Sequence, residues 1–285
     1  MKSLLPAAAL LVLGARFAAA EDAAIDLRIK LLKGASWKVE QSVEMTGSEA
    51  PPVENTESPL VQHTWTIAES WTDLCDGDRE GSPAILKRTW VSSKMGRPDF
   101  PQEDCSLTGA SITLEQPLKE TTSTVTVLKG KPVDATLAAL GKGPPEAVVL
   151  LLPAAPVKPG EEWTVPAAAV CRFQRVVTSS AGGAPRVRMA DIPKLVENLK
   201  ADGEIGHGCD LAGKVTAVEK GEATIEFQGT KTDTGRTDIT ATLKWNVTRG
   251  RPVSLEWNQK RTVKANDELR TKGFTETWLL KRTWK

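Results

Sequence analysis

The chain has 285 residues and sets 37 lysines and arginines against 36 acidic residues, a formal charge of +1 at neutral pH. A balance so even, with both signs mixed along the chain, gives nucleic acid no electrostatic purchase and excludes that class of partner. Hydrophobic residues make up 40%, with nine tryptophans and no tyrosine, enough to build one large β domain or two of ordinary size.

Met1-Lys2 precedes an apolar run from Leu4 to Leu13, which relaxes through Gly14, Ala15 and Arg16 into Ala18-Ala19-Ala20 before Glu21. This is the basic, apolar, small-residue order of a secretory signal, so residues 1–20 are expected to be a signal peptide cleaved after Ala20. The run is about ten residues, against about 20 for a bilayer crossing, so the mature chain is expected to lack a transmembrane segment. Loss of Lys2 and Arg16 leaves a charge of −1. The expected location is the periplasm or the medium, with the mature protein soluble.

Period-two alternation then dominates: Trp37, Val39, Gln41, Val43 and Met45 in one run, Trp65, Ile67, Glu69 and Trp71 in another. Such runs read as half-buried strands. A short helix is expected from Asp134 to Leu140, stopped by Gly141, closing a β-rich first half over 21–140. The stretch 141–160, with Pro144-Pro145 and Pro153, is expected to be a proline-rich connector between halves. In the second half, 161–285, a further short helix is expected over Asp191–Lys200. Strands are expected at Ala223-Ile225-Phe227, Leu243-Trp245-Val247, Val253-Leu255-Trp257 and Phe274 to Leu280.

The halves share landmarks. Gly34-Ala35-Ser36-Trp37 is matched by Gly160-Glu161-Glu162-Trp163, and Lys129-Gly130-Lys131-Pro132 by Arg249-Gly250-Arg251-Pro252. Each basic-Gly-basic-Pro is expected to be a tight hairpin between strands, Gly supplying the positive φ of the turn. A duplication would give each half one cysteine pair, so disulfides Cys75–Cys105 and Cys171–Cys209 are expected in an oxidising compartment, each stabilising by about 3 to 4 kcal/mol. With these landmarks the chain resembles a group of uncharacterised exported bacterial β-rich proteins of unknown function. The resemblance implies mainly β architecture, with curved antiparallel sheets similar to the open half-barrels of lipoprotein carriers, a few connector helices, and no catalytic residues.

Several motifs carry less than they suggest. Gly208 to Lys214 follows a phosphate-binding loop until Val215 replaces the hydroxyl residue, and Lys214–Val218 reads as a strand instead of a helix. Asp76-Gly77-Asp78-Arg79-Glu80-Gly81 imitates half a calcium loop, but Lys87 stands where the closing Glu belongs. His63 and His207 have no ligand spacing, and a bridged Cys209 offers no thiolate. No metal or cofactor is expected. Trp37, Trp65, Trp71, Trp163, Trp245 and Trp257 fall on the apolar side of their runs, where most are expected in the core and some in a pocket for an amphiphile. The leading expectation is therefore a non-enzymatic envelope or secreted protein binding an apolar ligand or another envelope protein. The alternatives are a glycan-directed hydrolase with paired acids and a purely structural interaction module.

Overall fold

The structure, a computed structural model, describes residues 23–30, 33–49, 61–79, 82–97, 100–117, 120–179, 209–232, 235–263 and 273–285. The expected signal peptide, the helix expected over Asp191–Lys200, His207 and Gly208 lie outside the described residues.

The chain forms one antiparallel sheet of twelve strands. The first half supplies β1 (Ser36–Glu49), β2 (Val61–Arg79), β3 (Ser82–Gly96), β4 (Glu103–Asp104), β5 (Ser111–Glu115) and β6 (Thr124–Lys129). The second supplies β7 (Glu162–Val165), β8 (Leu211–Glu219), β9 (Glu222–Thr232), β10 (Gly235–Asn246), β11 (Arg251–Val263) and β12 (Phe274–Trp284). The order is β6-β5-β3-β2-β1-β12-β11-β10-β9-β8-β7, with the short β4 beside β3. The halves are fused where β1 pairs with β12 from Val39↔Trp284 to Glu49↔Phe274. β6 and β7 are the free edges, so the sheet curves without closing into a barrel.

Alternation along each strand sorts the side chains by face, as the pleat requires. On β1, Trp37, Val39, Gln41, Val43 and Met45 are buried, while Lys38, Ser42 and Glu44 face water. Three non-sheet elements lie on the buried face. The first is the arm 23–30, where Ile25, Leu27 and Ile29 are buried; it bridges to Val157 through Ile25 and hands the Lys30 N–H to Gly250. The second is the stretch between α1 (Asp134–Gly141) and β7, which holds a 3-10 helix (Ala147–Leu151). The third is α2 (Ala167–Val177), opening after Pro166, whose Val170, Phe173, Gln174 and Val177 are buried at i, i+3, i+4, i+7 spacing.

Two expectations change here. The proline-rich stretch runs between the halves with Pro144, Pro145 and Glu146 buried, and the Pro145 carbonyl accepts from Arg88 at 3.2 Å. Arg249-Gly250-Arg251-Pro252 does turn β10 into β11, with Gly250 at φ +56°, but Lys129-Gly130-Lys131-Pro132 ends the edge strand β6 and leads into α1. The cysteines stand as thiols, so neither expected disulfide is present. Cys75 faces Leu86 on β3, whereas the Cys105 N–H bonds to the Ser93 carbonyl further along the same strand. Seven residues of strand separate those points by roughly 20 Å, and a disulfide needs Cα atoms within about 7 Å. Cys171 and Cys209 lie on neighbouring pieces of chain, since the Ala167 N–H that opens α2 donates to Asp210 Oδ1 at 2.7 Å.

Candidate functional site

The buried face carries eight of the nine tryptophans as buried side chains, and only Trp163 is half exposed. Cross-strand register arranges its residues in rows. One row is apolar across nine strands: Met95, Ile67 and Val43 lead to Leu280, and Trp257, Ala241, Phe227, Gly213 and Trp163 continue it to the edge. At about 4.8 Å between strands it is roughly 38 Å long. α2 packs on this row, Phe173 stacking 5.1 Å from Trp257, which in turn meets Trp278 edge-on at 5.8 Å.

Beside the apolar row, on the β3-β2-β1-β12 side, lies a charged layer. Asp73 takes two bonds from Arg88 at 2.7 and 2.8 Å and a third from the Trp71 indole at 3.0 Å. Glu146, from the proline-rich stretch, receives Arg282 at 3.4 Å and the Trp284 indole at 3.2 Å. Gln41 extends the Glu146 group by accepting from Arg282 and donating to Glu69 and to the Val177 carbonyl at the end of α2, both at 2.8 Å. Trp71 is sandwiched by cations, Arg88 at 4.8 Å and Arg282 at 5.4 Å from its ring. Burial opposes the charge on Arg88, but Asp73 outweighs it and raises the pKa. Arg282 moves the other way: burial pulls its pKa down, partly offset by Glu146. Burial likewise pushes the Cys105 thiol up to about 12 and Cys209 to about 11, so both are inert as nucleophiles at neutral pH.

The six tryptophans singled out by sequence do not line one pocket. Trp37 borders a void of about 10 Å3 with Trp284 and Glu146; Trp71 belongs to the charged layer; Trp65 and Trp257 lie further along the strands; Trp245 is closed over in the second half; and Trp163 donates to the Leu151 carbonyl at 3.1 Å. Sequence reasoning missed Arg88, Asp73, Glu146 and Arg282, which no periodicity pairs, and it missed α2. A trough of about 470 Å3 lies elsewhere, on the outer face of β8–β12. Two cross-strand ladders flank it, one charged (Lys281, Glu256, Thr242, Glu226, Lys214) and one neutral (Leu279, Asn258, Thr240, Gln228, Ala212).

Lys214–Val218 lies in β8, as a strand. Asp76–Arg79 continue the backbone of β2, with Asp76 exposed. Among the described residues no cluster of three or more metal-ligating side chains forms, and no helix is long and apolar enough to cross a membrane. No protein-family model matches the chain, and no curated protein is found similar to it.

Proposed function

We propose that the protein is an exported, non-enzymatic binding protein of the envelope or medium, and that it takes an amphiphile against the concave face of its open sheet. The observation that carries this is the apolar row spanning nine strands, on a wall that gathers eight buried tryptophans and is covered by short non-sheet elements. An open sheet can spread at its edges, and such a wall suits an apolar ligand. Asp73 and Glu146 are each held by an arginine and an indole N–H, which favours a structural over an acid–base role.

The test is native mass spectrometry of protein purified from an exporting host, followed by denaturation of the same sample, with 1-N-phenylnaphthylamine fluorescence on the stripped protein. Extra mass lost on denaturation, or saturable probe binding, is expected. A bare mass with no probe binding would refute the reading. A second reading, docking of another protein, is favoured by the outer trough. Charge reversal at Lys281 and Glu256 would then weaken partner capture without touching probe binding.

A further inference from the structure

At its centre the apolar row passes a polar spot. The Gln174 side-chain amide on α2 donates to Gln259 Oε1 on β11, and Gln259 stands directly opposite Trp278 on β12. Trp278 packs on Trp257, and Trp257 on Phe173. Gln174, Gln259 and Trp278 are each 1% exposed and Trp257 2%. After the single amide bond, Gln259 Nε2, Gln174 Oε1 and the indole N–H groups of Trp257 and Trp278 have no partner in the protein. Exchanging oxygen and nitrogen in both amides leaves the same inventory of two indole donors, one amide donor and one carbonyl acceptor. Polar groups this deep are almost always paired, so four together point to a missing partner with complementary atoms.

We propose that this quartet seats the polar head of the amphiphile and that the head is an uncharged amide; the inference rests on the reading that the concave face holds an amphiphile. Donors outnumber acceptors three to one. A carbonyl oxygen takes two of the donors, and the amide N–H answers Gln174 Oε1. An ester lacks that N–H and fits less well. A carboxylate fits worst, because the nearest charges on this face of β11 and β12 are Arg261 and Glu276, already facing each other at 3.8 Å, and a buried anion without a cation of its own is costly. In the structure α2 lies over the seat, with Gln174 holding Gln259. Entry of the head therefore keeps that bond and pairs the atoms it leaves over.

The experiment is displacement of 1-N-phenylnaphthylamine from the mature protein by tetradecanamide, methyl tetradecanoate, tetradecanoate and 1-tetradecene. Tetradecanamide is expected to bind about tenfold tighter than 1-tetradecene, with the ester between them and the carboxylate weakest. The double substitution Gln174→Leu with Gln259→Leu keeps the volume and removes all the amide atoms, so the variant should still bind the alkene while the amide preference falls to about twofold or less. Equal displacement by amide and alkene in the wild type overturns the seat and leaves the concave-face reading standing. A preference that survives in the double variant also overturns it. Failure of the probe to bind any form defeats the concave-face reading, and the seat with it.

Discussion

Removing one carboxylate should show whether the charged layer clamps the fold. Asp73 is fully buried and Arg88 4% exposed, and their two hydrogen bonds at 2.7 and 2.8 Å are joined by that of Trp71. Asp73→Ala leaves the Arg88 guanidinium in place, with the Pro145 carbonyl at 3.2 Å as a bonding partner and two indole faces beside it. Breaking a buried pair from one side costs about 3 to 5 kcal/mol, because the remaining charge is uncompensated. At about 2 to 4 °C per kcal/mol for a domain of this size, the melting temperature should drop by roughly 6 to 20 °C. Tryptophan emission during urea unfolding reads the loss directly. Asp73→Leu combined with Arg88→Met removes both charges and should recover most of it, since well-packed apolar replacements of buried pairs are often neutral. A loss under about 1 kcal/mol for Asp73→Ala would mean that water reaches Arg88 and that the layer does not hold the proline-rich stretch onto the sheet.

Peptide mapping of non-reduced, exported protein should find no Cys75–Cys105 peptide, a link that would contradict the β2–β3 register. Alkaline pH should act through Cys105. Its thiol stays protonated to about 12 in the folded state against 9.0 ordinarily, so the unfolded chain binds fewer protons above pH 9. Cys105 should then lower stability by about 1.4 kcal/mol per pH unit, and Cys105→Ser should remove that share of the slope in urea titrations and leave the share of Cys209. Gly213→Val should loosen the β7 edge, because a Cβ there meets Trp163 Cε2 at 2.5 Å. A destabilisation of about 1 to 3 kcal/mol with faster amide exchange in β7 is expected, and an unchanged exchange profile would contradict the contact.

The strands were legible because each presents one buried face, and period-two alternation survives in a single sequence: Trp37 to Met45 and Phe274 to Leu280 lie where the pattern places them. The short helix at Asp134 was legible from its stop at Gly141. α2 was equally readable from Pro166 and the spacing of Val170, Phe173, Gln174 and Val177, but the alanine-rich start and a central cysteine hid it. The packing of the proline-rich stretch was not legible, for a physical reason. Prolines cannot enter a sheet ladder, yet they sit well in a segment laid across its face, where Pro145 and Glu146 meet Arg88 and Arg282. The charged layer was not legible, since its bonds join residues up to 241 positions apart.

The surroundings of the apolar row also decide which way a tail can run from the seat. Toward β3 the row passes Leu280, Val43 and Ile67, and its neighbours on the charged-layer side are Arg282, Gln41 and Glu69. Toward β7 it passes Ala241 and Phe227 to Gly213, where Leu243, Ile225 and Val215 flank it on one side and Ile239 and Leu211 on the other. An acyl chain gains from apolar contact and loses where it holds water away from charges, so the tail should lie toward β7. Trp257 and Trp163 are four strands apart on this path, roughly 19 Å. Stearamide carrying a doxyl label at carbon 5 should therefore quench mainly Trp257 and Trp278, and the label at carbon 16 should also quench Trp163. Replacing Trp163 with Phe should remove part of the quenching by the carbon-16 label and leave that of the carbon-5 label unchanged. If the variant alters neither, the tail does not follow this path.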